Sequence, residues 1–367
     1  MLRFLRKIRQ RFLVNKKFSQ YILYATGEIV LIVVGIMIAL QLDNSNEEGK
    51  KKAEMVRNLT ELKSELESNI SKVHGILRFY NNRDSLIRQH LCKTISREDI
   101  KSTNDLQQQW VLITSNLVAP LDRVALDKVL SDLENLPKEL ENLKYGLRYF
   151  DAKYEEIDLD HKEYYEIAKG EDEYRAKNLN WYRETWRWDK PLEQEVYTKA
   201  IDYLFDDPHY QNQLYTYWKH VNFAIVQDIL ACRQVSIFWI EFITNYLDKT
   251  EQSSYQLPEE LRTDLSGLVG TYRVFEKATG GGTQIREMGE YILFEEDSRL
   301  VSFTRFDPEL QKNVQSDRKV EWVVLDSKTV ISPSGWFMHL VQRDSSIAAL
   351  EYAGCNNRNL YFHKIRE

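Results

Sequence analysis

The chain has 367 residues, a formal net charge of −6, and 21 Tyr, 15 Phe and 8 Trp. So many aromatics build packed cores and exclude a disordered stalk, and the length leaves room for two domains. Three widely spaced cysteines, Cys92, Cys232 and Cys355, exclude a disulfide framework and any C-x-x-C metal or redox motif. One bridge remains open, and Cys232, set among apolar helical residues, reads as a buried thiol.

Residues 1–20 are a basic arm, with Arg3, Arg6, Lys7, Arg9, Arg11, Lys16 and Lys17 and no acid before Glu28. Removing these seven positive charges from the net −6 leaves −13 on the rest of the chain. The arm therefore speaks for membrane topology and anionic lipid, not for nucleic acid. Residues 21–42 read as one transmembrane helix. Ile29–Leu42 alone would rise only about 21 Å, and starting at Tyr21 gives about 33 Å, enough for the hydrocarbon core. Lys/Arg bias predicts a cytoplasmic N-terminus, with everything after about 43 outside the cytoplasm. The long polar arm and the absence of a clear A-x-A site favour an uncleaved signal anchor over a signal peptide. An Arg-rich organellar presequence fits composition alone.

Within the span, Glu28 is an ionisable group at membrane depth. It marks either a contact or a side chain that snorkels to the nearby interface. Gly27, Gly35 and Ala39 share a helix face with it, and Gly35-x-x-x-Ala39 is a small-xxx-small pair that lets helices approach closely. Gly27, Glu28, Gly35 and Ala39 are thus the candidate contact seam for a membrane protein partner or a second copy.

Residues 43–250 read as an extracytoplasmic helical bundle or coiled coil. Leu59, Leu62, Leu66, Ile70, Val73, Leu77, Tyr80, Ile87 and Leu91 form an apolar stripe over 47–92, with 4-4-3 steps that suit a bundle better than a strict heptad. Helical pattern continues to about 169. Pro120 and Pro137 fit first turns, Leu126, Val129, Leu130 and Leu133 form a stripe, and another helix begins after Pro137. The stretch 170–190 reads as an ordered loop. Its Trp181, Trp186 and Trp188 are a candidate aromatic surface for a sugar or peptide, set against plain packing on the bundle. A second helical block runs from Pro191 to about Lys249. Its longest helix starts at Pro208 and carries Leu214, Trp218, Val221, Ile225, Ile229, Val235, Phe238 and Phe242. The run 235–247 is apolar but too short for a second span.

Residues 251–267 are a linker, and 268–367 a β-domain. Nine candidate strands lie between Val269 and Ile365, with Thr283–Arg286 and Glu290–Phe294 read as separate strands. Their density predicts a small antiparallel barrel or sandwich. Such a barrel can enclose a small apolar ligand. The opening segment Leu268-Val-Gly-Thr-Tyr272 resembles the Gly-x-aromatic first strand of lipocalin-like domains.

No catalytic motif is present. Gly280–Gly282 lacks the Gly-Lys-Ser/Thr of a phosphate loop, and there is no G-x-S-x-G or H-E-x-x-H. Asp158, Asp160, His161 and Glu163 cluster without a known ligand spacing and read as a solvated helix face. His209, His220, His339 and His363 read as isolated. The expectation is a non-enzymatic protein with no cofactor and no metal.

The N-terminal segment resembles a single-pass family of unknown function common in Bacteroidota. The resemblance rests on Gly27-Glu28-Ile29-Val30-Leu31, Gly35-Ile36-Met37-Ile38-Ala39-Leu40-Gln41, Asn44 and Asn46-Glu47-Glu48. It covers about residues 1–90, against a pattern of the form GEIxLVxxGIxIALQxxNWNExxK. Ser45 stands where that pattern has Trp, and Gly49 where it has a basic residue. The resemblance implies an envelope protein of a Gram-negative bacterium with its bulk in the periplasm, and it implies no reaction. The expected role is a scaffold or adaptor held in the inner membrane, with a periplasmic sensor of a small apolar ligand as the alternative.

Overall fold

The computed structural model describes residues 16–115, 117, 121–133, 136, 140–141, 143–186, 191–249, 254–278, 285–307, 312–344, 347–353 and 358–365. Pro120, Pro137, Trp188, Gly280–Gly282 and Cys355 lie outside them.

Helix α1, Lys16–Leu91, is a single helix of 76 residues. The span and the first bundle helix, expected as separate elements, are one rod. No proline interrupts it, and its four glycines cost only about 1 kcal/mol each relative to alanine. It stops at Lys93, which takes the left-handed conformation, φ 53°. The rod has two halves. Every residue from 27 to 54 is exposed. From Met55 onward the apolar stripe is withdrawn from water, including Leu59, Leu62, Leu66, Ile70, Val73, Leu77, Tyr80 and Ile87.

Around the buried half pack α2 (Thr103–Trp110), α3 (Val124–Ser131), α4 (Leu143–Asn178), α5 (Gln194–Asp206), α6 (Pro208–His220) and α7 (Val226–Asp248). Ser102 caps α2 by accepting from the Asp105 amide. Leu126, Val129 and Leu133 of the predicted stripe are buried, and Leu130 is partly so. Helix α4 runs straight through Gly170, so the expected loop begins at Leu179 instead of 170. Buried Glu171 and Arg175, one turn apart, hold this last stretch against the bundle. Pro208 does open a helix. It occupies the first turn, and Asp207 caps it by accepting from the His209 amide. One π turn, Val221–Ile225, joins α6 to α7. Phe238, expected on the buried stripe, is exposed, while Ile237, Trp239 and Ile240 are buried. The run is apolar all round, so periodicity cannot select its inner face.

Eight strands follow: β1 (Gly270–Ala278), β2 (Ile285–Glu296), β3 (Arg299–Asp307), β4 (Lys312–Asp326), β5 (Thr329–Ile331), β6 (Phe337–Asp344), β7 (Ile347–Ala353) and β8 (Arg358–Lys364). Each pairs antiparallel with the next, and β1 pairs with β8, closing an up-and-down barrel. Closure decides between the barrel and sandwich expectations, since it leaves no free edge. The two candidate strands at Thr283–Arg286 and Glu290–Phe294 merge into β2. The glycine between them serves a bulge: Gly289 has φ 107°, and the register with β1 slips there.

The barrel leans on the bundle through β4–β6, which are apolar on both faces. Trp322, Val330 and Met338 point into the barrel core. Their neighbours Val323, Leu325, Ile331 and Phe337 join the helical core. The period-2 alternation of a strand thus feeds two cores at once.

Candidate functional site

The first candidate is the exposed half of α1. Gly27, Glu28, Gly35 and Ala39 are all exposed, and a Cβ built at Gly27 or Gly35 meets nothing within 4 Å. Among the described residues, nothing covers this seam. Around it Ile29, Val30, Leu31, Ile32, Val33, Val34, Ile36, Met37, Ile38, Leu40 and Leu42 are exposed on every side of the helix. A helix apolar all round, with no protein against it, suits a membrane anchor or a signal sequence. The other long apolar helix, Pro208–Asp248, is half buried in the bundle and reads as core.

The second candidate is the junction between bundle and barrel, whose polar residues sequence reasoning missed. On α1, Arg78 donates from Nη2 to the Leu325 carbonyl of β4 at 3.0 Å. On α7, Arg233 pairs with Glu321 of β4 at 2.8 Å. Arg299 of β3 donates to Glu241 at 3.1 Å. Phe223 in the π turn meets Trp336 edge-on, ring centres 5.3 Å apart. Gly335, at φ 81°, brings its turn against Gln227, which donates to the Ser334 carbonyl.

Beside this junction Asp84 of α1 is buried and accepts from Trp218 Nε1 (2.9 Å) and Asn222 Nδ2 (3.2 Å). It is also ion-paired to Arg88 at 2.7 Å. Burial raises its carboxyl above the usual range, against the pull of Arg88 and the two hydrogen bonds. The π turn supplies Asn222, consistent with the habit of such turns to carry special contacts. His339 on β6 is held below the ordinary imidazole value, first by burial and then by Arg88. The signal available in the sequence was a lone charge inside an apolar run: Arg233 in ILACRQVSIFW and Glu321 in VEWVVL.

Of the tryptophan surface, Trp181 packs against the bundle core, its ring 5.7 Å from Trp110. Trp186 closes a 3-10 turn, Tyr182–Trp186. Behind Trp110 the Arg175 guanidinium lies 4.2 Å over its ring and donates to its carbonyl. Glu171 accepts from Arg175 at 2.6 Å and from the Tyr203 hydroxyl at 2.7 Å. These are core polar clusters.

Inside the barrel, Tyr272, Tyr291, Trp322 and Phe362 are buried, with Tyr291, Trp322 and Phe362 in mutual ring contact at 5.3–5.8 Å. The Tyr272 hydroxyl donates to the Leu268 carbonyl. These rings occupy part of the described barrel interior.

Three histidines are placed unlike the sequence reading, among them His209, whose Nε2 lies 3.2 Å from Glu171 Oε2. His161 turns inward, its Nδ1 2.8 Å from the Ile157 carbonyl. His220, expected alone, meets Asp160 and Glu163 instead.

Residues 28–118 match a family of unknown function (DUF6090). That segment is the exposed half of α1, its buried half and the first turns beyond. No curated protein matches the chain.

Proposed function

We propose that this chain is a non-enzymatic scaffold or adaptor of the bacterial inner membrane. Its arm would lie in the cytoplasm, its bundle and barrel in the periplasm of a Gram-negative cell. The observation that carries this reading is the continuity of α1. One helix holds an unpartnered apolar half with the Gly27/Glu28/Gly35/Ala39 face, then the centre of the bundle, then the Arg78 contact to the barrel wall. A displacement or rotation imposed on the span is thereby delivered to the barrel without an intervening hinge. The partner would be another membrane protein or a second copy meeting the span on its Gly27/Glu28/Gly35/Ala39 face.

Two further facts support the orientation. Positive charge is concentrated before the span. Cys92 is disulfide-bonded, which suits an oxidising compartment. In-membrane crosslinking followed by mass spectrometry tests the proposal on the natural protein and on Glu28→Leu. A membrane partner that vanishes with Glu28→Leu supports it. Crosslinks unchanged by the substitution remove the span from the argument.

A further inference from the structure

Asp160 and Glu163 lie one turn apart on α4 and face His220, the last residue of α6. One ligand atom from each falls within 4.8 Å of the others. His220 Nε2 sits 2.9 Å from the Asp160 main-chain carbonyl. A carbonyl only accepts, so Nε2 donates to it and the Nδ1 edge of the ring is left toward Glu163. Nδ1 lies 3.7 Å from Glu163 Oε2. An imidazole held through one N–H on a main-chain oxygen, with the other nitrogen aimed at carboxylates, is how proteins orient a metal-binding histidine.

Asp160 Oδ2 is buried and has no hydrogen-bond partner. Asp228 of α7 faces Asp160, within hydrogen-bond reach of its side chain. Lys153 lies 3.9 Å from Asp228 Oδ1 and is already paired with Glu156. Two carboxylates turned toward each other need a shared proton or a cation between them.

We propose that Asp160, Glu163 and His220 bind a divalent transition-metal cation, Zn²⁺ by preference, with Asp228 beside them as a fourth acidic group. Zn²⁺ bonds of about 2.0–2.2 Å to nitrogen and oxygen require ligand atoms a little closer together than they stand. Glu163, with 62% of its side chain exposed, is free to supply that movement. The imidazole argues against Ca²⁺ and Mg²⁺, which take oxygen ligands. The ion would tie α4 to α6 where the π turn begins, and so fix the segment that carries Asn222 and Phe223 to the junction. The site is independent of the adaptor reading.

Zn²⁺ alone, titrated calorimetrically into the full-length protein in detergent micelles near neutral pH, tests the site. Natural protein, His220→Ala, Glu163→Gln and the control Glu166→Gln are compared. Glu166 is an exposed neighbour on the same helix, paired with Lys169. The expected result is one Zn²⁺ per chain, with affinity falling about tenfold or more in His220→Ala and Glu163→Gln and holding in the control. Glu163→Gln is isosteric and exposed, so it keeps the test open should His220→Ala fail to fold. Two results overturn the proposal. The absence of stoichiometric Zn²⁺ binding by the natural protein removes the site. Equal affinity in natural protein and Glu163→Gln puts the ion elsewhere.

Discussion

Arg233 and Glu321 meet at 2.8 Å across the bundle–barrel boundary with 2% and 4% of their side chains exposed. The pair is incompletely satisfied: Arg233 Nε and Nη2 and Glu321 Oε2 have no hydrogen-bond partner. Burying such a pair costs heavily in desolvation, and removing one partner strands the other charge. Glu321→Leu alone should therefore destabilise the protein by about 3–5 kcal/mol. Arg233→Met combined with Glu321→Leu should recover most of that loss. Urea unfolding in detergent micelles measures both, and a double variant as unstable as the single one sinks the account.

Acid should weaken the fold through His74. This side chain is 2% exposed, its ring nitrogens have no partner, and burial, then Arg233 and Arg78, lower its pKa to about 3. The unfolded chain takes up the proton near 6.5, while the folded chain resists it down to about 3. Stability from this group is thus complete above 6.5 and drains away as pH falls toward 3. By pH 5 the loss is about 2 kcal/mol. His74→Leu should flatten that part of the pH–stability curve relative to the natural protein.

The aromatic centre of the barrel should be costly to empty. Trp322 is 1% exposed and touches both Tyr291 and Phe362. Trp322→Ala should cost about 3–5 kcal/mol. Limited proteolysis would show cleavage appearing within β1–β8, and unchanged resistance would speak against a filled interior.

Continuity of α1 is testable at Gly49, where an added Cβ meets nothing within 4 Å. Gly49→Ala should stabilise the helix by up to about 1 kcal/mol. Gly49→Pro should break it at a cost of about 3 kcal/mol while leaving the bundle folded. Spin-label distances between residues before 43 and the bundle should broaden in Gly49→Pro alone.

The stripe from Leu59 to Ile87 was legible because one face repeats at helical spacing and the other is charged. The strands were legible because turn residues punctuate them. Gly170 misled, since an exposed glycine is tolerated mid-helix when Glu171 and Arg175 anchor the next turn. The break expected between Arg286 and Glu290 is a bulge at Gly289, which slips the register without ending the strand. The junction stayed hidden for a different reason. Arg233 and Glu321 are far apart in the chain, and only the packing of β4 on α7 brings them together. His220 and Asp160 meet for the same reason.

One dimension of α1 bears on what can approach this protein. The apolar run ends at Leu42 and burial begins at Met55, with exposed, largely polar and charged helix between. The thirteen residue steps from Leu42 to Met55 make a stand-off of about 20 Å. If the apolar half lies in a bilayer, the bundle rides clear of the headgroups, and the collar from Asp43 to Glu54 is open all round. A neighbour in the membrane then has room for its own short loops beneath the bundle, and it can grip the span from any side.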